Sequence, residues 1–368
     1  MEKNIFQILG VQTKEDVVSN ALVHGLNSSK SFLYIFLETV CKKDPRKYSK
    51  CTGYTRLSTA TSGIPDIVLT CYQKNNDVDL VVIENKLKAD EGEDQTERYA
   101  SQESIDSLIK ILGLKKSQVF PSFVFLTLFP DQSPKSKYFK SSTYLELSNG
   151  LNKLSRGVDA VAEQLIDDWN ELLSRFYQCR SINHDDIATN KLSGTDNLDG
   201  GYLYFRSMLS ELTFPPGLEV EDCFRSSRQG RRFYGAVISK DDWHPTEMSE
   251  VNGKWQLNGG SDYNIHFEPQ YNVLNGIFNL FIHYEVNPYE TEKWVLKNIK
   301  FNQYNHYKAV RESFIQDLEA RNVKGLIFGG GSNQIAKASF NFQDKSTSEI
   351  QTMLQDFMGK VSHEIDFV

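Results

Sequence analysis

Cysteine is scarce and scattered: five residues in 368, at positions 41, 51, 71, 179 and 223. An odd number with no Cys-Xaa-Xaa-Cys pair excludes a disulfide framework and points to free thiols in a reducing compartment, the cytoplasm. The seven histidines show no zinc spacing, so a structural zinc is not expected. No apolar run approaches the ~18 residues of a membrane span, so no membrane partner is expected. The opening MEKNIFQILG lacks the apolar stretch and cleavage site of a secretory leader. What is present is 39% apolar and 12% aromatic residues, enough for packed cores, in a chain long enough for two domains.

Charge is unevenly placed. Residues 1–180 carry 23 Lys and Arg against 23 Asp and Glu, so the net −7 of the whole chain falls on residues 181–368. A polyanion would meet the first half more easily, at Lys115-Lys116 and at Lys135, Lys137 and Lys140.

Pattern along the chain predicts a helix over 13–27, with Thr13 and Asp16 as a capping box and Val18, Leu22 and Leu26 as its apolar stripe. A second helix starts at Ser28 or Ser29, with Phe32, Leu33, Phe36, Leu37 and Val40 inward. Three β-runs follow near 51–60, 64–72 and 78–87. A helix opens in the acidic segment 90–94 and runs to about Leu112, ending at Gly113. PSFVFLTLFP (121–130) reads as a buried strand, Tyr144–Leu147 as a short one, and 158–178 as a helix with Val161, Leu165, Trp169 and Leu172 on one side. This αβββαβ order describes an α/β domain, 1–180, on a mixed central sheet. The polar stretch 181–201 reads as a linker. Residues 202–368 read as an α+β domain: a largely antiparallel sheet near 231–239, 253–257, 262–268, 276–286 and 335–342, with helices at 202–213, 304–321 and 347–362.

The chemistry concentrates in residues 64–86, IPDIVLTCYQKNNDVDLVVIENK. Along the third β-run Leu80, Val82, Glu84 and Lys86 fall on one face, because strand side chains alternate. Both faces begin apolar, as in a strand covered on two sides. A carboxylate and an ammonium at the end of such a strand must pair with each other, with Asp66, or with a bound cation. Hydrolysing a phosphodiester needs charge neutralisation and an activated water. Mg²⁺ on hard oxygen ligands supplies both. Asp66 and Glu84 offer two carboxylates, and the Asn85 backbone carbonyl a third oxygen. Lys86 points to the same side.

Pro65-Asp66 with Glu84-Asn85-Lys86 resembles the signature of the PD-(D/E)XK nuclease superfamily, and Gln95-Thr-Glu-Arg-Tyr99 resembles the Gln-Xaa-Xaa-Xaa-Tyr element that follows the lysine in some of its branches. IENKLKADEGEDQTERY is similar to an uncharacterised bacterial branch. The resemblance covers roughly residues 13–180 and implies a restriction-endonuclease-like core. It also implies a Mg²⁺-dependent nuclease (Mn²⁺ substituting), DNA as the favoured substrate, and a setting in genome defence. Carried onto this chain, it makes Asp66, Glu84, Asn85 and Glu15 metal residues, Lys86 the assistant to the water, and Gln95 and Tyr99 the groups that orient the phosphate.

Several alternatives remain open at this level. Glu15 shares the inward stripe of its helix, yet would also suit a helix start. The first domain could be a retired nuclease scaffold that binds nucleic acid or assembles with protein. The second could recognise substrate, regulate, or bind a second copy or another protein. Arg225, Arg228, Arg231 and Arg232, with Phe224, Phe233 and Tyr234, could grip a phosphate backbone, although a solvated loop beside a strand is the favoured reading.

Overall fold

The computed structural model describes residues 4–59, 63–87, 91–92, 94–130, 132–153, 160–193, 198–228, 231–243, 248–251, 254–257, 264–285, 301–330 and 333–368. Part of the acidic segment 90–94 therefore lies outside the described residues. The chain divides into two compact units, one of Met1–Gln178 with Asp196–Leu198, the other of Cys179–Thr195 with Asp199–Val368.

Unit one is an α/β sandwich. Its sheet has the order β1 (Tyr48–Thr55), β2 (Ile67–Gln73), β3 (Val78–Lys86), β4 (Val119–Thr127), β5 (Phe139–Thr143). The first two pairings are antiparallel and the last two parallel, so the sheet is mixed, as expected. All nine residues of β3 are buried, which explains the apolar run Leu80–Ile83 at its centre. On one face Leu80 and Val82 pack with Val68, Phe123 and Phe125 under Ile105, Leu108 and Ile109 of α5 (Gln102–Ile111). The other face meets α2 (Glu15–Ser28), whose Ser19 Oγ accepts a hydrogen bond from the Asn85 side chain at 2.9 Å. On that side Trp169 of α7 (Ala160–Gln178) packs against Phe6 and Tyr144. α1 (Ile5–Ile8), α3 (Lys30–Thr39), α4 (Gln95–Tyr99) and α6 (Tyr144–Leu151) complete the unit.

Some local expectations are corrected. Lys14, not Thr13, occupies the N-cap position of α2 and makes no side-chain capping bond, and Asp16 pairs with Arg56 instead of closing a capping box. The helix expected up to Leu112 is two: the first ends at Tyr99 with Ala100 as its C-cap, and Ser101 caps the next by accepting from Ser104 N. Tyr144–Leu147 is helical, not a strand. Thr143 and Glu146 form a reciprocal capping box there, and the strand lies just before it. Val161 is 65% exposed, whereas Trp169 and Leu172 are buried as expected, together with Ala162, Ile166, Leu173 and Phe176.

Unit two contains a fully antiparallel six-stranded sheet. Its order is β12 (Ile327–Phe328), β13 (Gln334–Asn341), β11 (Ile277–Glu285), β10 (Asn264–Asn272), β7 (Arg231–Ser239), β6 (Glu219–Arg228). A separate hairpin joins β8 (Met248–Val251) to β9 (Lys254–Leu257). Helices α8 (Ala188–Leu192), α9 (Gly200–Ser210), α10 (Phe301–Ala320) and α11 (Thr347–Asp366) accompany them. The stretch expected as a linker is largely part of this unit. Asp186 O accepts from Thr347 N at 3.0 Å, Ala188 N donates to Lys345 O at 3.1 Å, and α8 and the start of α9 lie inside 181–201.

The arginine cluster lies on strands, not on a solvated loop. Arg225 and Arg232 both pair with Asp199, itself 2% exposed, and stand over the rings of Tyr202 and Tyr234. Their charge is thus spent inside the unit. No helix among the described residues is long and apolar enough to cross a membrane.

Candidate functional site

The site forms where β2 begins and β3 ends. Ile67 pairs with Ile83, so Asp66, one residue before β2, comes opposite Glu84. Asp66 is held by its backbone neighbour, with Asn85 N donating to Asp66 Oδ2 at 2.8 Å. Lys86 Nζ stands 2.5 Å from Glu84 Oε1 and 3.9 Å from Glu15 Oε2. Glu15 is fixed at the first turn of α2 by Leu87 N, which donates to its Oε1 at 2.9 Å. Three carboxylates and one ammonium therefore converge, with the Glu84 side chain fully buried and that of Lys86 only 7% exposed.

Electrostatics mark the cluster as short of positive charge. Burial, then the negative charge of Asp66, pushes the Glu84 carboxyl up to about 8, against the pull of Lys86. Asp66 is raised as well. Burial is the main cause and Glu15 adds to it, against the Asn85 N–H and Lys86. Burial works to lower Lys86, but Glu84, Glu15 and Asp66 together raise it, so the ammonium stays charged. The polar neighbours of the buried Glu84 carboxyl are the Lys86 ammonium and the Asp66 carboxyl. A buried, under-compensated set of hard oxygens is what a hard divalent cation satisfies.

Gln95 and Tyr99 do come together on α4, with Gln95 Nε2 donating to the Tyr99 hydroxyl at 3.2 Å. That hydroxyl donates to Ile64 O at 2.9 Å, two residues before Asp66. Gly63 enables the approach: its φ is +102°, and a Cβ there would stand 3.2 Å from the Tyr99 ring. Tyr99 thus tethers the segment that delivers Asp66. Burial raises its own hydroxyl, and the charges of Glu84 and Asp66 add to the effect.

The Asn85 side chain points away from the carboxylates. Its amide donates to Ser19 and accepts from the buried Tyr144 hydroxyl at 2.8 Å, so Asn85 meets the cluster with its backbone and not its side chain. Ser19 and Tyr144 were not singled out from sequence. Nothing in the local pattern signals them, because they act across the sheet.

The chain has no match. Comparisons with protein-family models, curated proteins and solved structures all return nothing for it. The geometry alone carries the reading.

One further grouping of potential ligands lies across two strands of unit two, where no spacing along the sequence signals it. His266, Glu268 and His283 of unit two each offer a ligand atom, all within 4.8 Å of one another.

Proposed function

We propose that unit one is a metal-dependent nuclease that hydrolyses phosphodiester bonds, with DNA as the favoured substrate. The observation that carries this is the convergence of Asp66, Glu84 and Glu15 around the Lys86 ammonium at the end of β3. Asp66, Glu84 and Glu15 would hold Mg²⁺, or Mn²⁺ in its place, with the Asn85 carbonyl as a further oxygen. When bound, the ion supplies charge neutralisation at the phosphate and eases deprotonation of water.

The chain's own groups divide the remaining work. Lys86, kept protonated by its three carboxylate neighbours, orients the attacking water and offsets charge developing on the phosphate. Tyr99 holds the Ile64–Asp66 backbone in place, and Gln95 beside it offers an amide to the substrate. Unit two would recognise substrate, regulate cutting, or join a second copy or a protein partner. A cytoplasmic setting, as in bacterial genome defence, suits the free cysteines.

The test incubates purified protein with linear, circular and single-stranded DNA and with RNA, each with Mg²⁺, Mn²⁺ or chelator. Metal-dependent cleavage lost in Asp66→Asn and Lys86→Met is the expected result. Nucleic-acid binding with no cleavage under any condition would instead favour a retired scaffold.

A further inference from the structure

We propose that unit two carries a second metal site, for a zinc-class divalent ion, on the central strand pair of its sheet. It is built from His266 and Glu268 of β10 and His283 of β11, with Glu285 beside them. His266 and His283 are direct cross-strand partners in the antiparallel ladder, with ring centroids 4.9 Å apart. Glu268 and Glu285 lie two residues from one histidine each, so strand alternation brings all four side chains to one face. The apolar partners Ile265, Phe267, Ile282 and Tyr284 take the opposite face and are buried.

Distances suit a site that closes on an ion. His266 Nε2 is 4.0 Å and His283 Nδ1 3.6 Å from Glu268 Oε2, while His283 Nδ1 is 3.2 Å from Glu285 Oε1. Ligands around a tetrahedral zinc stand about 3.3 Å apart, so side-chain rotation alone completes the set. Supporting contacts are in place. The His266 Nδ1 lies 2.9 Å from Asn264 Oδ1, and with that oxygen accepting, the proton sits on Nδ1 and Nε2 is turned to Glu268. Asn333 Nδ2 donates to Glu285 Oε1 at 2.9 Å.

The donor set decides the ion. Two imidazole nitrogens with carboxylate oxygen suit borderline first-row ions such as Zn²⁺, whereas the all-oxygen cluster of unit one suits Mg²⁺. Two carboxylates, with side chains 17% and 9% exposed, face two imidazoles, and a divalent cation neutralises them. The site would clip β10 to β11. It does not rest on the nuclease reading.

The test uses the full chain, stripped with chelator and titrated with Zn²⁺ by calorimetry, with bound metal counted by elemental analysis. Wild type is expected to hold one tight Zn²⁺ equivalent through these residues and to show a higher Tm with it. The Asp66→Asn/Glu84→Gln double variant is expected to retain that equivalent. His283→Gln and Glu268→Gln are expected to lose it, and Asn264→Ala to weaken it by about 10-fold or more. Absence of stoichiometric Zn²⁺ in wild type, or an unchanged affinity in folded His283→Gln, would overturn the site. Should His283→Gln not fold, Co²⁺-loaded wild type decides. Intense visible bands of a low-coordinate nitrogen–oxygen site support the proposal, and the spectrum of hydrated Co²⁺ alone refutes it.

Discussion

Replacing Glu84 with Gln removes the carboxyl that burial and Asp66 make hardest to ionise in the candidate site and, without metal, is expected to stabilise unit one. The folded carboxyl titrates at about 8 against an ordinary 4.5. Between those values the folded state holds a proton that the unfolded state has released, so stability falls as pH rises from 4.5 to 8 and then levels off. At 1.36 kcal/mol per pH unit the penalty is about 3 kcal/mol at pH 7 and below about 1 kcal/mol at pH 5. The Gln amide stands in for the protonated carboxyl and does not titrate. In chelator, Glu84→Gln should therefore exceed wild type by about 3 kcal/mol at pH 7, with the gap closing on acidification. Amide hydrogen exchange read by mass spectrometry on peptides covering 78–87 reports this unit without interference from the other. Comparing variant with wild type at the same pH cancels intrinsic exchange rates. A variant no more stable than wild type at pH 7, or a gap that ignores pH, would refute the reasoning.

Three further outcomes are expected. Asp79 accepts from Lys43 at 3.0 Å, from Gln73 at 3.2 Å and from the Tyr48 hydroxyl. Burial alone would raise its carboxyl, but these partners hold it below its usual 3.8, so its contribution is present above that value and lost as pH falls through the lower folded one. Asp79→Ala should cost about 1–3 kcal/mol at pH 7 in urea unfolding, with the deficit vanishing in strong acid. Tyr99→Phe keeps the ring but frees Ile64 O. Metal-dependent cleavage should fall about 10-fold in kcat with KM little changed, and an unchanged kcat would remove Tyr99 from the account. Tyr144→Phe leaves the buried Asn85 Oδ1 without that donor and should lower the stability of unit one by about 1–3 kcal/mol, measured by the same exchange peptides.

The site was legible in the sequence because strand alternation is a local rule. Nine buried positions ending in Glu-Asn-Lys define β3, and the same alternation sends Glu84 and Lys86 to one side and Asn85 to the other. Glu15 was readable from its place on the inward stripe of α2. Where tertiary context decides, the pattern failed. The segment SSTYLEL looks like one β-run, yet its Thr143–Glu146 capping box starts a helix midway. Strand β6, EVEDCFRSSR, lies at the sheet edge with a single neighbour, so its charged, half-exposed composition does not read as a strand. The His266–His283 pairing is a fact of register between strands, and His-Xaa-Glu at 266–268 and again at 283–285 is only a faint trace of it.

That Asp66, Glu84 and Glu15 jointly form a hard-cation site beside Lys86 is the claim on which the functional reading depends. Calorimetric titration of Mg²⁺ into stripped protein at pH 8 addresses it without needing a substrate. Wild type should bind Mg²⁺, and Asp66→Asn/Glu84→Gln, with its fold verified by circular dichroism, should not. Equal Mg²⁺ binding by the two proteins, or none by wild type, would contradict the account.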